Sequence, residues 1–93
     1  MKISHKIYLI SDSTGETLDR IFLALKAQFE NFDYKINQFS FTRTETQIKK
    51  IIETANKNKN SIILYTIVNN KLAKFLSDES GKKKIPCFGV LGE

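Results

Sequence analysis

The sequence predicts an open α/β fold built on a parallel sheet. Three observations carry that reading. Four short apolar runs alternate with three amphipathic segments, in the order β-α-β-α-β-α-β. Successive runs begin about 25 residues apart, the spacing of parallel strands joined by right-handed helical crossovers. The first run, Ile7-Tyr8-Leu9-Ile10, is continuously apolar rather than alternating, as expected of a strand covered on both faces.

The elements follow in order. After the first strand comes the turn Ser11-Asp12-Ser13-Thr14-Gly15-Glu16-Thr17. A first helix is predicted from about Gly15 to Asn31, because Leu18, Ile21, Phe22, Leu25 and Phe29 recur at three- and four-residue spacing. Asn31 and Asp33 mark the next turn. Tyr34 to Phe41 alternates without a purely apolar face, so it reads as a less buried strand at a sheet edge. Thr42-Arg43-Thr44 closes it. A second helix spans Glu45 to Lys57, with Ile48, Ile51, Ile52 and Ala55 as its buried stripe. Asn56 to Asn60 is a polar turn.

Ser61 to Val68 carries the strongest strand pattern, and Asn69 or Asn70 can cap a third helix, Asn70 to Asp78. That helix buries Leu72, Phe75 and Leu76 and is expected to stop at Gly81. A last strand covers Ile85 to Leu91, with Pro86 tolerated near its start. The preferred strand order is 2-1-3-4, a doubly wound three-layer sheet of the Rossmann/flavodoxin type. The winding direction then reverses between strands 1 and 3. A crevice is expected there, beside the Ser11–Thr17 turn and the loop after Thr66.

Composition sets limits. The 93 residues make one domain, 41% hydrophobic and 27% charged. No apolar run approaches the roughly 20 residues that cross a membrane, and the run after Lys6 is too short for a signal peptide. The chain therefore reads as cytoplasmic. Cys87 is the only cysteine and lies in an apolar stretch, so it reads as a buried structural thiol. His5 is the only histidine, and zinc-ligand spacing is absent, so no metal site is expected. The net charge of +5 comes mostly from lysines spread over helix surfaces and turns. Arg20 and Arg43 are far apart, so a nucleic-acid surface is not favoured. The sequence stops at Gly92-Glu93, directly after a strand, and reads as an N-terminal piece of a longer protein.

Candidate chemistry gathers in the first turn. Ser11, Ser13, Thr14 and Thr17 supply hydroxyls, and Gly15 lets the backbone approach a ligand. The first amides of a helix lack internal partners, and its dipole is positive there, so the turn suits a phosphate. Ser13 and Glu16 also have the spacing of a capping box, which leaves Asp12, Thr14 and Thr17 unexplained. Asp12 is the candidate catalytic carboxylate or magnesium ligand, and equally a turn-forming residue. Arg43 could clamp a phosphate with its planar fork. Thr42 with Glu45, or Thr44 with Gln47, forms another possible capping box. Thr44 and, at the end of the third strand, Thr66 complete the candidate phosphate- or nucleotide-binding set. There is no Walker loop and no dinucleotide fingerprint.

The run Ile10 to Thr17, followed by Gln28-Phe29, Thr42-Arg43-Thr44, Ile62 to Val68 and Ile85-Pro86-Cys87-Phe88-Gly89-Val90-Leu91-Gly92, resembles the N-terminal region of the pyruvate, phosphate dikinase regulatory protein family, which includes the phosphoenolpyruvate synthase regulatory proteins. The resemblance covers nearly the whole chain in order. It implies a bifunctional kinase and phosphorylase. Such a protein phosphorylates a threonine of its target enzyme with ADP as donor, and removes that phosphate with inorganic phosphate. It also implies a phosphate-binding P-loop in a C-terminal part outside these residues, so that this chain alone is inactive. Where that family often has an aspartate before Val-Leu-Gly, this sequence has Phe88-Gly89. A second copy of the chain and a magnesium ion stay open as partner and cofactor.

Thr14-Gly15-Glu16-Thr17 also resembles the loop that wraps the FMN phosphate in flavodoxins. The length and the absence of tryptophan argue against that alternative. A basic module for nucleic acid is the third reading.

Overall fold

The computed structural model describes residues 4–27 and 33–90. β1 (Ser4–Ser11), α1 (Glu16–Lys26), β2 (Asp33–Phe39), α2 (Glu45–Asn56), β3 (Ser61–Thr66), α3 (Asn70–Lys82) and β4 (Cys87–Gly89) follow one another. The four strands form one sheet in the order β2-β1-β3-β4, and every pairing is parallel. Fold class and strand order are therefore those expected. The Gln28-Phe29 motif, the helix end near Asn31, the Leu25 side chain and the strand end at Leu91 lie outside the described residues and side chains.

Two cores sandwich the sheet. Successive residues of β1 point to opposite faces, and both faces are covered. Ile7 and Leu9 pack with Leu18 and Phe22 of α1. Tyr8 and Ile10 pack with Ile48, Ile51, Ile52 and Ala55 of α2, with Ile63 of β3 and with Leu76 of α3. Thus α1 covers one face, and α2 and α3 cover the other. The expected α2 stripe is the buried one, residue for residue. Edge-to-face packing of Phe22 on Tyr34 (centroids 5.6 Å apart) and stacking of Tyr8 on Phe39 (6.2 Å) hold the edge strand on each face. No helix among the described residues is long and apolar enough to cross a membrane.

Several boundaries differ from the sequence reading, each for a local reason. β1 begins earlier, at Ser4, because Ser4 to Lys6 pair with Asp33 to Lys35 despite their polar side chains. β2 stops at Phe39 rather than Phe41, since the next residues turn away to bond the β1–α1 loop. β3 ends at Thr66 rather than Val68, whose amide goes to the Asp12 carboxylate instead of a neighbouring strand. Gly81 does not end α3, which continues through Lys82. The stop comes at Lys84, in the left-handed region at φ +58°. There the Ile85 amide reaches back to the Ser80 carbonyl (2.9 Å) and the Ile85 side chain is buried. This reversal consumes Ile85, so β4 begins at Cys87 rather than at Ile85.

The lysines expected on helix surfaces and turns are exposed, from Lys49-Lys50 through Lys82-Lys83-Lys84. Cys87 is half-buried against the α2/α3 core. Burial pushes its thiol above the ordinary range, against a smaller opposing effect of the Ser80 hydroxyl. A raised thiol is the reverse of what a nucleophile needs, in keeping with a structural role.

Candidate functional site

The β1–α1 turn lies where the winding reverses, between β1 and β3. The register Ser11↔Thr66 brings the ends of these strands side by side. Ser11 is buried, and its Oγ accepts from the Ser13 amide at 3.1 Å. The same oxygen lies 3.3 Å from Ser13 Oγ and accepts from Thr66 Oγ at 3.4 Å. Three hydroxyls from two strands and the turn thus form one chain.

The backbone of the turn is polarised. Four consecutive carbonyls are taken up by the β2–α2 loop. Ser11 O accepts from the Thr42 amide (2.8 Å), Asp12 O from Arg43 Nε (3.0 Å), Ser13 O from the Phe41 amide (2.9 Å), and Thr14 O from Ser40 Oγ (3.0 Å). A trans peptide plane places the following N–H opposite its carbonyl, and the chain has no cis bond among the described residues. The amides of this turn therefore face away from β2 and toward β3. The Asp12 amide demonstrates the direction, donating to Thr66 O across the gap. The first internal bond of α1 runs from the Asp19 amide to Gly15 O. Ahead of it, the amides from Thr14 to Leu18 donate to no group among the described residues.

Thr14, Glu16 and Thr17 among these donors border a cavity of about 240 Å³ lined by Ser11, Asp12, Ser13, Thr14, Glu16, Thr17, Thr66 and Val68. No aromatic side chain is among the lining residues, so nothing here would flank a flavin ring. The expected crevice exists, and it gathers Ser11, Asp12, Ser13, Thr14, Thr17 and Thr66. Gly15 lies behind it at φ +86°, in the position just before α1. That placement overturns the expected Ser13–Glu16 capping box: α1 starts at Glu16, and Ser13 is two positions too early to cap it.

The structure does not bring Arg43 or Thr44 to the crevice wall. Arg43 bonds the Asp12 carbonyl from behind, and its guanidinium lies 5.2 Å from the centroid of the Phe41 ring. Thr44 caps α2 in a full capping box with Gln47, one of the two alternatives in the sequence. Asp12 uses one carboxylate oxygen, Oδ2, to accept the Val68 amide at 2.9 Å, tying the β1–α1 turn to the segment after β3.

Sequence reasoning missed Glu16 and Val68 as crevice residues, and Ser40, Phe41 and Thr42 as the supports behind the turn. Only the register between strands distant in sequence brings Val68 to Asp12. Phe41 is a bulky residue at φ +54°, a strained conformation that no residue pattern announces. Two carboxylates, Asp12 and Glu16, share the crevice with the amides. No cluster of three or more metal-ligating side chains occurs among the described residues.

A family model described as Kinase/pyrophosphorylase matches residues 7–93. A relative from Pelagibacter ubique, provisionally named pyruvate, phosphate dikinase regulatory protein, is 62% identical over 92 residues, which are 99% of this chain and 34% of the relative. Relatives with the same provisional name from Alkaliphilus oremlandii and Geotalea uraniireducens are 41% and 36% identical, over 91% and 92% of this chain and 30% and 32% of their own lengths. The chain spans about a third of the length of the curated relatives it matches.

Proposed function

The chain belongs to the kinase/pyrophosphorylase family, and we propose that its crevice holds a phosphoryl group for a cytoplasmic regulator of a phosphotransfer enzyme. In this reading the whole protein transfers a phosphoryl group from ADP to a threonine of pyruvate, phosphate dikinase or phosphoenolpyruvate synthase, releasing AMP. It reverses the modification with inorganic phosphate, releasing pyrophosphate. The reading draws on the names of the relatives and on one observation, the turn whose four carbonyls are all held on the β2 side. That arrangement leaves the amides of Thr14, Glu16 and Thr17 and the hydroxyls of Ser13, Thr14 and Thr17 available to an anion in the crevice.

The role of each group follows from its place. The α1 N-terminus and the turn amides bind the phosphoryl oxygens. Thr66 and Ser11 orient the hydroxyl chain from the strand ends. Asp12 and Glu16 repel a bare dianion, so the crevice favours a phosphate whose charge is partly neutralised. A magnesium ion carried with the nucleotide would be held by those two carboxylates, offsetting the repulsion. Arg43 keeps the turn in shape through the Asp12 carbonyl.

The test uses these 93 residues joined to the remainder of the Pelagibacter relative, with Ser13, Thr14 and Arg43 all changed to alanine. Both ADP-dependent phosphorylation of the target enzyme and its phosphate-dependent reversal should fall by at least about tenfold, since preorganised donors are each worth that much or more. Survival of both within a few-fold would reduce the crevice to scaffold.

A further inference from the structure

The two faces of the sheet are covered unequally. β3 is an interior strand, paired on both sides. On the α2/α3 face Ile63 is 0% exposed and Ile67, just beyond the strand, 2%, with Tyr65 between them half-buried. On the α1 face, Ile62 and Leu64 are only partly covered. The register Leu64↔Phe88 puts Phe88 of β4 on that same face, where it is 55% exposed, and Val90 beyond it is half-buried. Ile62, Leu64, Phe88 and Val90 thus form an apolar strip beside α1, with no polar side-chain atom among them.

The cause is topological. Among the described residues α1 is the only helix on its face, because the right-handed crossovers after β2 and β3 both place their helices opposite. One helix about 10 Å wide cannot cover four strands spaced about 4.8 Å apart. β1 is buried on both faces from Ile7 to Ser11, whereas β3 and β4 keep apolar side chains partly exposed on the α1 face, a strip about the width of a second helix.

We infer that this strip is the docking surface for an amphipathic helix supplied by the two thirds of the family polypeptide that this chain does not span. The helix lies alongside α1 and sets its apolar stripe on Leu64, Phe88 and Val90. A length of chain about twice that described here is available in the relatives to provide it. The inference is independent of the crevice: an empty crevice leaves it standing, and an uncovered strip leaves the crevice reading standing.

Hydroxyl-radical footprinting tests it with three phenylalanines as internal probes. Phe22, 4% exposed, is the buried reference, and Phe41, 51% exposed, is the open one, close to the 55% of Phe88. In the 93-residue chain Phe88 should oxidise like Phe41. In the chain joined to the remainder of the Pelagibacter relative, its oxidation should fall about fivefold, toward that of Phe22, while Phe41 stays within about twofold. Phe88→Asp should leave the melting temperature of the short chain nearly unchanged and lower that of the joined protein by roughly 5 °C or more. Equal oxidation of Phe88 in both proteins, or a variant that is silent in both, overturns the inference. Protection of Phe88 in the short chain that grows with concentration also overturns it, because a second copy would then be the occupant.

Discussion

Gly15 carries more of the turn's geometry than any hydroxyl. Its φ of +86° lies in the region that side chains rarely adopt, and a Cβ there would sit 2.7 Å from Gln38 Nε2. Gln38 is not free to move at no cost, because the same nitrogen donates to Asp19 Oδ1 at 2.9 Å. Gly15→Ala should therefore cost about 2 kcal/mol, part from the backbone and part from the contact. Adding Gln38→Ala should recover the contact part alone. Thermal melts of the two single variants and the double variant separate the parts. A double variant as stable as Gln38→Ala would mean that the backbone conformation costs nothing. Asp12 shows the other use of a residue at this edge. Its carboxylate is half committed to the Val68 amide, so the candidate catalytic group is also a strut between two loops.

Caps and reversals decide where the elements end, and there the sequence was least legible. The α2 stripe, the strand order and the crevice could be read because apolar periodicity and crossover handedness act over many residues. Ser40 to Arg43 could not. Their work is to bond four carbonyls of a loop some thirty residues earlier, two through the Phe41 and Thr42 amides and two through Ser40 Oγ and Arg43 Nε, a match set by loop geometry that no residue periodicity announces. Gly81 misled for a related reason: the helix reverses where the buried Ile85 can fold back on Ser80, and Lys84 accepts the left-handed residue. Lys84→Gly should accordingly stabilise the chain by about 1 kcal/mol, because glycine adopts that conformation without the Cβ penalty. Thr44→Ala, which removes a full capping box, should destabilise it by about 1 kcal/mol. Denaturant midpoints for both variants check the signs, and a destabilising Lys84→Gly would contradict the account of the helix end.

For the whole molecule, the α2/α3 side of the sheet is the better sealed, and its titration gives a handle on stability. Burial raises the Cys87 thiol, and it raises the Tyr65 phenol with a further push from Cys87. A raised acid holds its proton more tightly when folded than when unfolded. The stability this gives is complete below the unfolded values, and it is lost as pH rises through the folded ones. Melting temperature should be level near neutrality and fall from about pH 8, where an unfolded thiol begins to ionise. Cys87→Ser should delay the fall to the range of Tyr65. A melting temperature that rises with pH over that interval would reverse the sign of both effects. No lysine or arginine is among the residues that line the crevice. Anion binding by general positive charge and binding by the turn therefore predict different residues.

That difference makes one experiment the most direct. Inorganic phosphate is titrated, with magnesium present, into the isotopically labelled 93-residue chain while the amide spectrum is followed, with magnesium chloride at equal ionic strength as control. The polarised turn predicts saturable shifts at the amides of Thr14, Gly15, Glu16 and Thr17, with smaller ones at Ser13 and Thr66. Shifts confined to the lysines of α2 and α3, or no change beyond that produced by chloride, would contradict it.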